Sequence, residues 1–343
     1  MQLRPRCSPN TPATSRQLEL PALLDLQVNG FAGVDFNDPE VAPEDVSGAI
    51  QRMKETGVAG FLAALITSSL DRFRKCAEFL SAANDPALLG IHMEGPYISR
   101  EDGARGAHPV QHVCAASIDD FQRRQEAAAG KIRLVTLASE VPGVLGLIEH
   151  LVALKVRVAS GHTATSGKQI RDAVNAGATL STHLGNGCSL QMPRHPNLLW
   201  EQLSQDALSA SLIVDGHHLP LATVKAMIRA KGTGNTILIT DAMATAGMGA
   251  GLFELNGELV EADETGRVSP PGKPWLAGSA LTLDRAVANT VKYTGLPFET
   301  VWRMASTQPA EYLGLKPSGK VLVSWDGVNC RISKLNLEKP QAS

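Results

Sequence analysis

Thr236-Ile-Leu-Ile-Thr-Asp-Ala242 is an apolar, β-branched run that stops at a single acid, Asp241. A run without polar alternation is the pattern of a strand buried on both faces of a parallel sheet, and α/β barrels carry their reactive groups where such strands end. Taken alone, Asp241 reads more simply as an Asx cap opening the next loop. Its meaning depends on what stands at the ends of the other strands.

Outward from this run the chain alternates strand-like and helix-like patterns. Ala22-Leu-Leu-Asp-Leu-Gln-Val28 reads as strand one, and 43–57 as a helix with Val46, Ala49, Ile50 and Met53 at helical spacing. Strands at 61–66, 88–93, 132–137 and 156–159 each precede a helix, at 69–83, from Ser117, at 144–155 and at 166–176. Residues 179–182 begin the sixth strand, 208–214 with a helix at 220–231 give the seventh, and 236–240 is the eighth. Eight short strands, all but one followed promptly by a helix, is the count of a (β/α)8 barrel. Between strand eight and a helix at 283–293, hairpin signals at Asn256-Gly257 and Thr265-Gly266 predict a β insertion at about 252–276, lying over the barrel mouth. The barrel is thus expected over 21–315, with 1–20 a disordered or reduced N-terminal segment and 316–343 a β-rich tail. A doubly wound open sheet also alternates in this way, but no GxGxxG follows strand one and no P-loop is present.

The 343 residues fit a single α/β barrel with insertions, and 43% hydrophobic content with 31 glycines fits a large core with many turns. A formal charge of −2, from 32 Lys+Arg against 34 Asp+Glu, gives no reason to expect nucleic acid or a membrane surface. The five cysteines are scattered without a CxxC pair, the pattern of reduced thiols in a cytoplasmic protein. The first twenty residues lack an apolar signal core and no run is long enough to span a bilayer, so secretion and membrane insertion are not expected.

The strand ends carry an unusual set of side chains. Strand one ends at Gln27 and Asn29, strand three at His92 and Glu94, strand five at His162, and strand six at His183. Strand seven ends at Asp215, His217 and His218, and strand eight at Asp241. A lone histidine near a strand end is usually structural. Five of only nine histidines at such ends call for another reading, because a barrel gathers these ends around one axis. Two neutral imidazoles and one carboxylate leave a zinc ion with an open fourth position, and such an ion lowers the pKa of bound water to about 7. A second carboxylate that is not a ligand can then carry the proton. Glu94, His162, His183 and Asp241 fill these four roles. No GxSxG elbow supports a serine nucleophile.

His92-Met-Glu-Gly-Pro96, Arg105-Gly-Ala-His108, Val135-Thr-Leu-Ala-Ser-Glu140, Ser160-Gly-His162, Thr182-His-Leu-Gly-Asn186, Asp215-Gly-His-His218, Thr240-Asp-Ala242 and Leu276-Ala-Gly-Ser-Ala-Leu-Thr282 occur in order across about 21–314. Together they resemble the N-acetylglucosamine-6-phosphate deacetylases of the amidohydrolase superfamily. The resemblance implies a barrel that removes acetate from an N-acetylated amino-sugar phosphate, usually as a homodimer. It makes Glu94, His162 and His183 the metal ligands and Asp241 the catalytic acid/base. Many amidohydrolases carry His-x-His at the end of strand one and hold two metals; here Gln27 and Asn29 take those places, so one zinc ion per subunit is expected.

The resemblance also implies substrate contacts. Ala107 and His108 match the loop that reaches the acetyl group, His108 polarising its carbonyl. Asn186, Gly187, Arg194 and His218 match positions that hold the sugar phosphate, Arg194 being donated by the partner subunit. Leu276, Ala277 and Gly278 match the loop that closes over acetyl group and sugar. Two features depart from the family pattern. Leu184-Gly-Asn-Gly-Cys188 replaces the usual aromatic followed by Asn-Ala-Met, which leaves the sugar epimer and the need for phosphate open. The small β-sandwich of the relatives is reduced here to the tail at 321–337. The other readings are an amidohydrolase acting on a different N-acyl substrate or a cyclic ureide, and a non-catalytic amino-sugar sensor.

Overall fold

The computed structural model describes residues 15–255, 258–317 and 319–337. The Asn256-Gly257 hairpin signal and residues 1–14 of the N-terminal segment lie outside the described residues. Strands β1 (Leu23–Val28), β2 (Val58–Ile66), β3 (Leu88–Glu94), β4 (Ile132–Leu137), β5 (Arg157–Ser160), β6 (Leu180–Ser181), β7 (Ser209–Ile213) and β8 (Thr236–Ile239) lie side by side in chain order. Every neighbouring pair is parallel. Helices α1 (Pro43–Lys54), α2 (Leu70–Ala82), α3 (Ile118–Ala127), α4 (Val144–Ala153), α5 (Gly167–Ala176), α6 (Leu198–Ser204), α7 (Leu221–Lys231) and α8 (Leu283–Thr294) pack outside them. This is the expected (β/α)8 architecture.

Local signals explain the elements. In α1 a proline opens the first turn, Glu44 and Asp45 follow it, and Arg52 and Lys54 close the last turn, which matches the helix dipole at both ends. Its buried residues are Val46, Ala49, Ile50 and Met53, the stripe read from the sequence. Helix α2 starts at Ser69, whose hydroxyl accepts from the Arg72 N–H at 3.2 Å. Strands β1 and β8 are buried along their whole length, as barrel staves between core side chains and helices must be.

The barrel closes where β1 meets β8, and it closes mainly through side-chain and loop contacts. Val28 bridges Ala242, and the N–H groups of Asn29 and Gly30 both reach the Ala242 carbonyl, at 2.7 and 3.0 Å. Deeper in the barrel the buried Asp25 carboxylate accepts from the Thr240 hydroxyl at 2.6 Å, from the Thr240 N–H at 3.3 Å and from the Gln27 N–H at 3.2 Å. Burial pushes the Asp25 carboxyl up to about 7, against the pull of these donors.

The β insertion is a four-stranded antiparallel sheet made of Gly251–Leu255, Glu258–Ala262, Arg267–Ser269 and Gly278–Ser279. Val260, Ala262 and Val268 form its own small core with Phe253, Leu255 and Met243. The N-terminal segment departs from expectation. Arg16–Pro21 is a strand, paired antiparallel with Lys320–Trp325, which pairs in turn with Cys330–Asn336. Half-buried Leu18 and Leu20 alternate here with exposed Gln17 and Glu19, a strand pattern that the prolines just before it obscure in the sequence. The four described cysteines are all unpaired.

Asp25→Ala leaves the Thr240 hydroxyl and N–H without their buried partner and is expected to cost about 2–4 kcal/mol of stability, read as a lower urea midpoint at unchanged slope. Because the Asp25 pKa is higher in the folded chain than in the unfolded one, this group's contribution is fully present below about pH 4 and is lost as pH rises toward about 7. Asp25→Asn should therefore flatten the pH dependence of unfolding across that window; an unchanged slope would reject the seam assignment.

Candidate active site

Glu94 is the last residue of β3, and His162, His183 and Asp241 each stand two residues beyond the ends of β5, β6 and β8. All three have left-handed backbone, with φ of 47°, 30° and 50°. A non-glycine residue in that region costs roughly 1–3 kcal/mol and persists only where its surroundings hold it. Here they do: the Ser99 N–H donates to the His162 carbonyl at 2.8 Å, the Ser211 hydroxyl accepts from the His183 N–H at 2.8 Å, and the Asn186 N–H donates to the His183 carbonyl at 2.9 Å. The sharp turn sends each side chain inward over the barrel axis.

Glu94 Oε1 lies 2.9 Å from His183 Nε2 and 3.3 Å from His162 Nε2, and the two Nε2 atoms are 3.1 Å apart. These residues offer ligand atoms within 4.8 Å of one another and form the only such group of three among the described residues. The Ala104 carbonyl, 3.0 Å from His162 Nδ1, can only accept, so Nδ1 carries the proton and Nε2 presents its lone pair to the cluster. A buried carboxylate with two converging imidazoles fits a divalent cation that keeps an open position. Burial opposes the Glu94 charge, but the neighbouring His162 and His183 imidazoles prevail and hold its carboxyl well below the usual range. At His183 burial favours the neutral ring, yet the contact with Glu94 wins and raises its pKa to about 9.

Asp241 stands across from this cluster, its Oδ1 accepting from Asn29 Nδ2 at 2.7 Å. Burial, then the Glu94 charge, push its carboxyl up, while His183, His218 and Asn29 pull the other way. His108 is buried, and that burial together with the neighbouring His162 lowers its pKa to about 3, so the ring is neutral. The Thr67 N–H can only donate and points at His108 Nδ1 from 3.4 Å, which assigns the ring proton to Nε2. That N–H lies 3.8 Å from Glu94 Oε2. His218 is held through Nδ1 by Asp215 Oδ2 at 2.6 Å, and the other Asp215 oxygen accepts from the N–H groups of His217 and His218. Burial resists the Asp215 charge, but the His218 contacts keep its carboxyl below the usual range.

A cavity of about 870 Å³ opens on these groups. Among the residues singled out in the sequence, Asn29, Glu94, Ala107, His108, His162, His183, Asn186, Gly187, His218, Asp241, Leu276, Ala277 and Gly278 line it. Gln27 lies behind the wall and touches Glu94. Arg194 is exposed and does not line the cavity of its own chain. His92 is not part of the site either: two residues before Glu94 on the same strand face, it lies deeper in the barrel between the Leu26 carbonyl and the Thr136 hydroxyl. Burial lowers its pKa to about 4, as suits a neutral core histidine. His217 bonds at the surface to Thr265.

A scan of known protein-family models finds none that matches. Individual proteins do match. The chain is 34% identical over 312 residues to the N-acetylglucosamine-6-phosphate deacetylase of Lysinibacillus sphaericus, covering 90% of this chain and 79% of that one. The chain belongs to the N-acetylglucosamine-6-phosphate deacetylase family. It is also 34% identical over 310 residues to the N-acetylgalactosamine-6-phosphate deacetylase of Escherichia coli O157:H7, with 88% and 80% covered. The crystal structure of N-acetyl-D-glucosamine-6-phosphate deacetylase from Mycobacterium smegmatis superposes with a TM-score of 0.84 at 26% identity, covering 98% of this chain and 90% of that one.

At Gly187 the backbone comes close to the cluster. Its φ is +57°, and a Cβ there would come within 2.9 Å of His162 Nδ1 and 3.2 Å of His183 Cε1. The bare backbone therefore packs directly on both imidazoles. Thr67, Met243, Leu255 and Val260 also line the cavity and were not singled out from the sequence. Leu255 and Val260 come from the β insertion, so it walls the cavity as its expected position over the mouth requires. Thr67 stands next to the end of β2, the kind of position that identified the others, but a hydroxyl attracts less notice than an imidazole.

Glu94→Ala or His183→Ala is expected to purify with far less bound divalent metal than the unaltered chain, measured by elemental analysis after dialysis. Undiminished metal would remove these residues from the ligand set.

Proposed function

We propose that this protein hydrolyses N-acetylglucosamine 6-phosphate to glucosamine 6-phosphate and acetate, using one divalent ion, zinc, held by Glu94, His162 and His183. The observation that carries this reading is the pairing of that ligand set with Asp241, a carboxylate outside it that faces the same cavity. The sugar-phosphate identity follows the relatives' names. The galactosamine epimer is the second reading, favoured by equal identity to the Escherichia coli protein.

When bound by Glu94, His162 and His183, such an ion would supply Lewis-acid chemistry, polarising the amide carbonyl and acidifying a water. Asp241 would take the proton of the attacking water as its oxygen bonds to the carbonyl carbon. The neutral His108 donates its Nε2–H to the developing oxyanion. As the tetrahedral intermediate collapses, the C–N bond breaks and Asp241 returns its proton to the departing amine. Asn186, whose buried Nδ2 has no hydrogen-bond partner among the described residues, offers a donor to the substrate, and His218, fixed by Asp215, offers another. Leu276, Ala277 and Gly278 close against the sugar. Arg194 serves the phosphate of the neighbouring subunit in a homodimer, which accounts for its absence from the cavity of its own chain. A phosphorylated substrate and unpaired cysteines support a cytoplasmic setting, and no helix among the described residues is long and apolar enough to cross a membrane.

Asp241→Asn should retain its metal while losing roughly 10²–10⁴-fold in kcat, measured as acetate release; near-normal turnover would remove Asp241 from the mechanism. Comparing kcat/KM on phosphorylated and unphosphorylated N-acetylhexosamines of both epimers fixes the substrate, and indifference to phosphate would reject the anion site. Mixing Asp241→Asn with Arg194→Ala subunits should restore activity, since one site of a mixed dimer then has both residues. No recovery would place Arg194 elsewhere.

A further inference from the structure

Asp25, Gln27 and Asn29 occupy alternate positions at the end of strand one, and alternate residues of a strand share a face. Each of the last two touches a different part of the site. Gln27 is 1% exposed and uses both halves of its amide: Nε2 donates to Glu94 Oε1 at 2.9 Å, and Oε1 accepts from the Thr182 hydroxyl at 2.9 Å. Thr182 directly precedes His183, so a single amide connects one candidate ligand to the backbone that carries another. Asn29 Nδ2 donates to Asp241 at 2.7 Å, and its buried Oδ1 has no hydrogen-bond partner among the described residues. Asp25 secures the rail from below, bonding the Gln27 N–H on one side and Thr240, the residue before Asp241, on the other.

Glu94 and Asp241 are two carboxylates that line one cavity. Such a pair stays ionised and oriented only where donors face each carboxylate. An amide N–H supplies that donation without itself competing strongly for the ion. We infer that Gln27 and Asn29 are positioning residues with separate duties, Gln27 fixing the metal-ligand carboxylate and the approach to His183, Asn29 fixing the carboxylate that moves the proton. The inference rests on reading the site as a metal-dependent deacetylase.

The separate duties give the test, with leucine as a near-isosteric replacement that cannot donate. Gln27→Leu should bind Zn²⁺ alone about 10–100-fold more weakly in competition with a chelator, and its Co²⁺-loaded form should show an altered visible absorption band. Thr182→Val should shift affinity the same way by less, with the metal-free thermal midpoint of each variant reporting on folding. Asn29→Leu should keep wild-type zinc affinity, lose at least about 10-fold in kcat with KM nearly unchanged, and move the acid limb of kcat/KM to higher pH, because Asp241 loses a donor that favours its charged form. Wild-type zinc affinity in both Gln27→Leu and Thr182→Val, or wild-type kcat and pH profile in Asn29→Leu, would overturn the inference. So would metal and kcat falling together in both leucine variants. If the wild-type protein deacetylates no hexosamine phosphate while Gln27→Leu still weakens zinc binding, the substrate reading fails and the role of Gln27 stands.

Discussion

The meeting of β1 with β8 is the constraint on which the rest of the molecule depends. A parallel sheet of eight strands exposes two edges unless its first strand finds its last, and here the backbone contribution to that join is slight, one bridge and two N–H groups on the Ala242 carbonyl. The Asp25 carboxylate completes it from inside. Closure has a second effect, because it brings the side chains of β1 to the strand ends on the far side of the sheet. Gln27 reaches β3 and the approach to His183, and Asn29 reaches the turn after β8.

A buried carboxylate beside a half-buried one would be unstable without compensation. The compensation is local and nearly all of it comes from nitrogen. Glu94 is surrounded by two imidazoles and an amide, and Asp241 by an amide with two histidines nearby. The left-handed backbone at His162, His183 and Asp241 is what makes this density possible.

The sequence made the barrel legible because apolar runs and helical stripes are local signals, and the observed elements begin and end within a few residues of their predicted bounds. Glu94, His162, His183 and Asp241 were legible because strand ends in such a barrel converge whatever their separation along the chain. What escaped was pairing. The strand at Arg16–Pro21 takes its identity from a partner some three hundred residues away, and nothing in its six residues names that partner. His92 and Glu94 look equivalent in sequence, both on one face of β3, and depth in the barrel alone separates a core hydrogen-bonding residue from a cavity group. Asp25 reads as an acid inside an apolar strand, and its use appears only when Thr240, over two hundred residues later, lies against it.

Strand β6 is only two residues long, and after Cys188 the chain runs without regular structure to α6. Its beginning is pinned, with His183 and Leu184 bonded to Ser211 and the Gly187 carbonyl accepting from Thr163. The stretch beyond is largely exposed and carries Arg194. Apart from Met192, which packs against the core, its residues 190–196 are exposed. Substitutions at its exposed positions can therefore remake the surface beyond Gly187 while the strand-end cluster keeps its anchors.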